Sequence, residues 1–184
     1  MRSRRRLGKL VRLKRREMER KLRETFLVVF LMGAGGNGLD ERRLIKKALE
    51  KKGVLAIIAE DDLPQDVAPS LVEEYVLGNG EVELAFINVD SWGSAAEFAQ
   101  YHRNKQIASK LRVLVENKYH PLYGRSRSYL TDLYLTHSAL YGHVYAYGKT
   151  APQTSVFPSP MKLVIKLATR YKELKALGKK YFIR

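Results

Sequence analysis

The residues of this chain best suited to chemistry by type and spacing fall in two turns, each following an apolar run. The first turn is Asp90-Ser91-Trp92-Gly93-Ser94-Ala95-Ala96-Glu97, with two carboxylates seven residues apart around small side chains. Asp90 stands where the apolar run ends and could hold hydroxyl groups. Gly93 allows close approach of a ligand, with Ser91 and Ser94 beside it. Ser94 is expected to cap a helix, placing Glu97 one turn inside and near any crevice at that end. Partial burial there would raise the Glu97 pKa and suit it to act as base or nucleophile. The same letters also spell Ser-x-x-Glu, a capping box in which Glu97 would only bond back to the Ser94 N–H.

The second turn, Gly33-Ala34-Gly35-Gly36-Asn37-Gly38, satisfies G-x-G-x-x-G after an apolar run. Gly33, Gly35 and Gly36 are the candidate ligand-cradling positions, and Asp61 lies near the distance of a ribose-binding acid. Asp40 is expected to cap the following helix. Together with Glu41 it would repel a pyrophosphate there. Three readings stay open: a loop that only lets the chain leave its strand, one that cradles ribose or phosphate, and a nicotinamide-cofactor site. A third region, residues 118–129, mixes aromatic, cationic and hydroxyl groups. Tyr119 and Tyr123 could stack on a base and Arg125 could meet a phosphate; an ordinary surface loop is the alternative. The four histidines show no metal-ligand spacing, so no metal site is expected. G-x-S-x-G, P-loop and H-E-x-x-H motifs are absent from the sequence.

Positioning these turns requires a regular α/β alternation. The run Phe-Leu-Val-Val-Phe-Leu-Met at 26–32 reads as a strand buried on both faces. Further strands are expected at 54–59, 82–89, 111–115 and 143–147. Helices are expected from Asp40 to Gly53, near 66–77, from Ser94 through Ile107, and near 128–141. An acidic turn is expected at 60–62. Five strands alternating with helices predict a flavodoxin-like three-layer α/β/α sandwich with a parallel sheet in the order 2-1-3-4-5. Ligands in such sheets bind beyond the carboxyl ends of the strands, where the order reverses. The turns after strands one and three are therefore expected to share a crevice holding Glu97, Asp90 and the glycine loop.

The strand, loop and Asp90-x-x-Gly93-x-x-x-Glu97 opening a helix, with Gly33 in the turn after the first strand, resemble the nucleoside 2-deoxyribosyltransferases and the TIR-like and SLOG-like nucleotide-processing Rossmannoid domains. The resemblance covers residues 25–148 by layout and a handful of residues by motif. It implies a nucleotide or nucleoside ligand, no required cofactor, and a Glu97 that acts on an N-glycosidic bond. Ala99 departs from the glycine often found two residues after that Glu.

The chain of 184 residues carries a net charge of +15, concentrated at its ends. Residues 1–23 net +10 and residues 162–184 net +7, whereas residues 24–161 net −2. Any binding to a phosphate backbone should therefore map to the termini. Arg4, Arg5, Arg6, Arg12, Arg15 and Arg16 are the candidate nucleic-acid contacts. A solvated helix packing a thin apolar stripe of Leu7, Val11, Met18 and Leu22 on the body, or on a second subunit of a homo-oligomer, is the plainer reading. The expected organisation is a basic helical extension (1–24), a Rossmann-like domain (25–150), and a linker with a basic amphipathic helix (151–184). No apolar run approaches the roughly 18 residues that span a bilayer. The N-terminus lacks a signal-peptide core, so a cytoplasmic location is expected. Cysteine is absent and Asn and Gln are sparse, which excludes thiol chemistry and leans towards heat adaptation. A non-catalytic nucleic-acid-associated protein is the alternative function.

Overall fold

The computed structural model describes residues 2–149 and 156–178. A long helix, α1 (Arg2–Glu24), precedes the first strand, β1 (Val28–Met32). Next come α2 (Asn37–Glu50), β2 (Leu55–Ile58), a single helical turn α3 (Ala59–Asp62) and α4 (Pro69–Gly78). The chain continues through β3 (Val82–Val89), α5 (Trp92–Tyr101), the short α6 (Lys105–Ala108) and β4 (Leu111–Glu116). It ends with α7 (Tyr129–Tyr141), β5 (Val144–Tyr147) and α8 (Pro160–Ala176). The five strands form one parallel sheet in the order 2-1-3-4-5, as the alternation predicts. No helix among the described residues is long and apolar enough to cross a membrane.

The continuous apolar runs are the reason the sheet is parallel and covered on both sides. All residues of β1 and β4 are buried, so neither strand has a solvent face to which polar residues could alternate. Val28, Phe30 and Met32 contribute to one core layer, with Leu77, Phe98, Ile107 and Tyr134 from α4, α5, α6 and α7. Leu27, Val29 and Leu31 face the other layer, with Ile45 and Leu49 of α2 and Val164 and Ala168 of α8. The helices after β1 and β3 thus lie on opposite faces, and the switch point falls between those strands.

Several helix bounds differ from expectation. Helix α2 begins at Asn37 rather than being capped by Asp40, because Gly36 at φ 55° turns the chain early. Gly38 therefore lies in the first helical turn, where the glycine-rich fingerprint requires it. Residues 60–62 form a helical turn rather than a loop. In α4, Pro69 takes the first-turn position that proline favours, starting the helix later than residue 66. Helix α5 stops at Tyr101, and Asn104 caps a separate α6, so no single helix runs to Ile107.

Candidate functional site

The Gly33 turn is tight. Its φ of 148° favours glycine, and a Cβ would stand 3.3 Å from the Asn88 carbonyl oxygen. The space directly between this turn and the end of β3 is only about 20 Å³ and is bordered by Glu41, Asn88 and Asp90. Burial, then the neighbouring Asp90 charge, pushes the Glu41 carboxyl up. A pyrophosphate has neither room nor favourable charge there. Gly35 and Gly36 are exposed at the outer edge of the loop.

Arg42 occupies the ground beneath that loop. It is 6% exposed, and its guanidinium donates to Glu60 at 2.6 and 2.9 Å and to the Ala34 carbonyl at 2.9 Å. The pair belongs to a ladder between α2 and α3. Arg43 donates to Asp61 at 2.6 and 2.9 Å, and Lys46 to both oxygens of Asp62 at 2.6 Å. Asp61 is thus engaged by Arg43, which holds its carboxyl below the usual range.

Beside Arg42 and Gly33 lies a cavity of about 210 Å³, walled by the end of β1, by α3, by α4 and by α5. Glu60, Ser70, Glu73 and Glu97 line it. Burial, followed by repulsion from Glu73, pushes the Glu97 carboxyl up to about 7, against the opposing pull of Arg42 and with a further push from Glu60. One Glu97 oxygen is buried with no hydrogen-bond partner among the described residues. Burial likewise raises Glu73, which accepts a hydrogen bond from the Tyr101 hydroxyl at 3.3 Å. With Arg42 neutralised by Glu60, the remaining carboxyls make the cavity suited to hydroxyls and to developing positive charge. It does not suit phosphate.

The expected capping box is corrected. Ser91, not Ser94, caps α5, accepting from the Ser94 N–H at 3.2 Å, and the Ser94 hydroxyl accepts from the Ser91 N–H at 3.1 Å. Glu97 therefore lies deeper in the helix and is free of any capping duty. Ser94 is 1% exposed, and its hydroxyl is consumed by backbone partners.

Asp90 and Glu97 line different cavities, correcting the expectation of a single crevice. Asp90 is exposed, accepts from Asn88 Nδ2 at 3.1 Å, and borders a cleft on the opposite side of α5 together with Ser91 and Tyr119. Gly93 is exposed in the first turn of α5. Tyr123 stacks on His120 at 4.6 Å and does not line that cleft, nor does the exposed Arg125.

No protein-family model matches this chain, and no curated protein matches it.

In the basic extension, residues 7–16 are all exposed, including Arg12, Arg15 and Arg16. Arg15 donates to Glu19 at 2.8 Å. The side chains of Arg4, Arg5 and Arg6 and residues 179–184 lie outside what the structure describes. Arg42, Glu60 and Glu73 escaped sequence reasoning; the only available signal was the three bases Arg42, Arg43 and Lys46 facing the run of acids at 60–62.

The raised Glu97 pKa predicts a stability signature. Between about pH 4.5 and 7 the folded chain holds a proton on Glu97 that the unfolded chain has lost. This contribution is complete below the ordinary carboxyl pKa and is lost as pH rises through about 7. Glu97→Gln, which cannot ionise, is expected to exceed the parent by about 1–2 kcal/mol at pH 8 after solvent screening, with the difference closing at pH 4. Urea unfolding at the two pH values reads this directly. A Gln variant weaker than the parent at pH 8 would show that the carboxylate is satisfied within the fold.

Proposed function

We propose that this chain binds the sugar of a nucleoside or nucleotide in the Glu97 cavity and cleaves or transfers at the N-glycosidic bond. The observation that carries the reading is the Glu97 carboxyl itself. It lines a cavity at the carboxyl end of β1, has an unpartnered buried oxygen, and has a pKa pushed to about 7. The resemblance of Asp90-x-x-Gly93-x-x-x-Glu97 to the deoxyribosyltransferase group adds support from the sequence. In this mechanism the C–N bond breaks and its electron pair leaves with the base. The Glu97 carboxylate attacks the anomeric carbon or stabilises its oxocarbenium-like charge. Ser70 and Glu73 hold sugar hydroxyls. Water then supplies hydroxide to the anomeric carbon, and its proton ends on the base nitrogen; in transfer, a second base takes the place of water. Incubation with a panel of nucleosides and nucleotides, read by mass spectrometry, should show released base. A panel that is returned intact would overturn the reading.

The exposure of α1 favours a second activity in the same chain. A helix with twelve Lys/Arg against three Glu, its residues 7–16 all in solvent, is suited to nucleic-acid backbones. Removing residues 1–23 is expected to eliminate most affinity for duplex DNA and single-stranded RNA. Binding by the full chain should fall steeply between two salt concentrations. Equal binding by the truncated protein would move the contact to the body or to α8.

A further inference from the structure

We propose that the cleft on the far side of α5 from Glu97 is a second site, which binds a nucleoside monophosphate. It measures about 470 Å³, within the usual range for a small-molecule site, and opens at the carboxyl ends of β3, β4 and β5. Two helix N-termini border it. Ser91 caps α5 and Ser128 caps α7, their hydroxyls accepting from the N–H groups of Ser94 and Thr131. The remaining first-turn N–H groups have no intrahelical acceptor and favour an anion. Lys118 and Lys149 reach the buried Glu116 at 3.0 and 3.7 Å, so two ammonium groups flank one of the two carboxylates of the lining.

An independent observation comes from the floor of the cleft. Tyr147 is 1% exposed, lines the cleft, and its hydroxyl has no hydrogen-bond partner among the described residues. Burial first, and then the charges of Asp90, Glu116 and Glu41 together with Tyr134, keep that phenol protonated. It is a donor waiting for an acceptor, and a buried hydroxyl left unpaired costs stability. At the mouth stand Trp92, 93% exposed, and the half-exposed Tyr119, two aromatic faces on which a base can stack. Asp90 and Glu116 can accept from ribose hydroxyls, a contact that inorganic phosphate alone does not make. Planar ring, vicinal hydroxyls and one phosphate together satisfy the whole lining.

Trp92 is the sole tryptophan of the chain, so its fluorescence reports this cleft alone. The full chain is titrated with the four ribonucleoside monophosphates, with the parent nucleosides and with inorganic phosphate. At least one monophosphate is expected to give saturable quenching, its nucleoside to bind about 10-fold more weakly, and phosphate alone to give none. Tyr147→Phe is expected to weaken the monophosphate about 5-fold while raising Tm, a combination that a purely structural tyrosine would not give. Lys118→Gln and Lys149→Gln should each weaken it about 3-fold or more. Glu97→Gln should leave the quenching unchanged, which separates this site from the proposed glycosidic cavity and keeps its failure distinct from failure of that reading. Absence of quenching by every monophosphate, unchanged binding by Tyr147→Phe, or loss of binding in Glu97→Gln would each overturn the proposal.

Discussion

Glu97→Gln is expected to lower the rate of base release by about 10²–10⁴-fold while leaving nucleoside affinity within a few-fold. The amide keeps the shape of the carboxyl and its place among Glu60, Glu73 and Arg42, but it cannot carry the negative charge that the anomeric carbon requires. Because Ser91 and Ser94 form the cap of α5 between themselves, the substitution does not touch the start of the helix. A fall in rate therefore reports chemistry rather than unfolding. Single-turnover rates and equilibrium binding, measured on the same preparation, separate the two quantities. A variant that turns over like the parent would leave Glu97 without a catalytic role.

Arg42→Met is expected to produce the largest stability loss of any single change in the site, about 2–4 kcal/mol. The guanidinium bridges three elements: it donates to Glu60 on α3, to the Ala34 carbonyl in the glycine loop and, at 3.4 Å, to the Leu31 carbonyl of β1. Removing it leaves one buried and one half-buried carbonyl poorer in partners. Glu60, whose side chain is 39% exposed, can still turn to water, which keeps the loss below that of a fully buried pair. For a chain of this length the corresponding fall in Tm is roughly 5–15 °C. Arg42→Lys is expected to recover less than half of it, since an ammonium cannot reproduce the fork on Glu60 while also reaching Ala34. Loss of the positive charge also removes the opposing pull on Glu97, so its titration should move above 7 in the variant. An Arg42→Met protein melting like the parent would contradict the bridging role.

The sheet was legible because its strands are too apolar to be anything else. A seven-residue apolar run at 26–32, followed by glycines and then a helical pattern, leaves little choice but a buried parallel strand, and right-handed crossovers then restrict the order. The site was legible only as a neighbourhood. Asp90 and Glu97 were placed correctly after β3, yet the two side chains part company because α5 begins at Trp92. Ala95 and Glu97 are then about 200° apart around the helix axis, one over the Asp90 cleft and the other over the Gly33 cavity. Ser91 and Ser94 are both serines three residues before a polar side chain, so the letters alone do not distinguish which one caps. Arg42 and Glu60 are 18 residues apart and meet only because β1 and β2 are adjacent. Tyr147 reads in sequence as one more aromatic of a short strand; its lack of a partner is a property of packing.

The pH dependence of base release between pH 5 and 9 reports whether the Glu97 carboxylate governs the step. A carboxyl pushed to about 7 by burial and Glu73, and needed as the carboxylate, predicts a rate that rises through a single ionisation near pH 7. That ionisation should disappear in Glu97→Gln. A profile that is flat across this range, or one whose rise is already complete by pH 5, would show that an ordinary carboxylate or no carboxylate at all governs the step, and would contradict the assignment of Glu97.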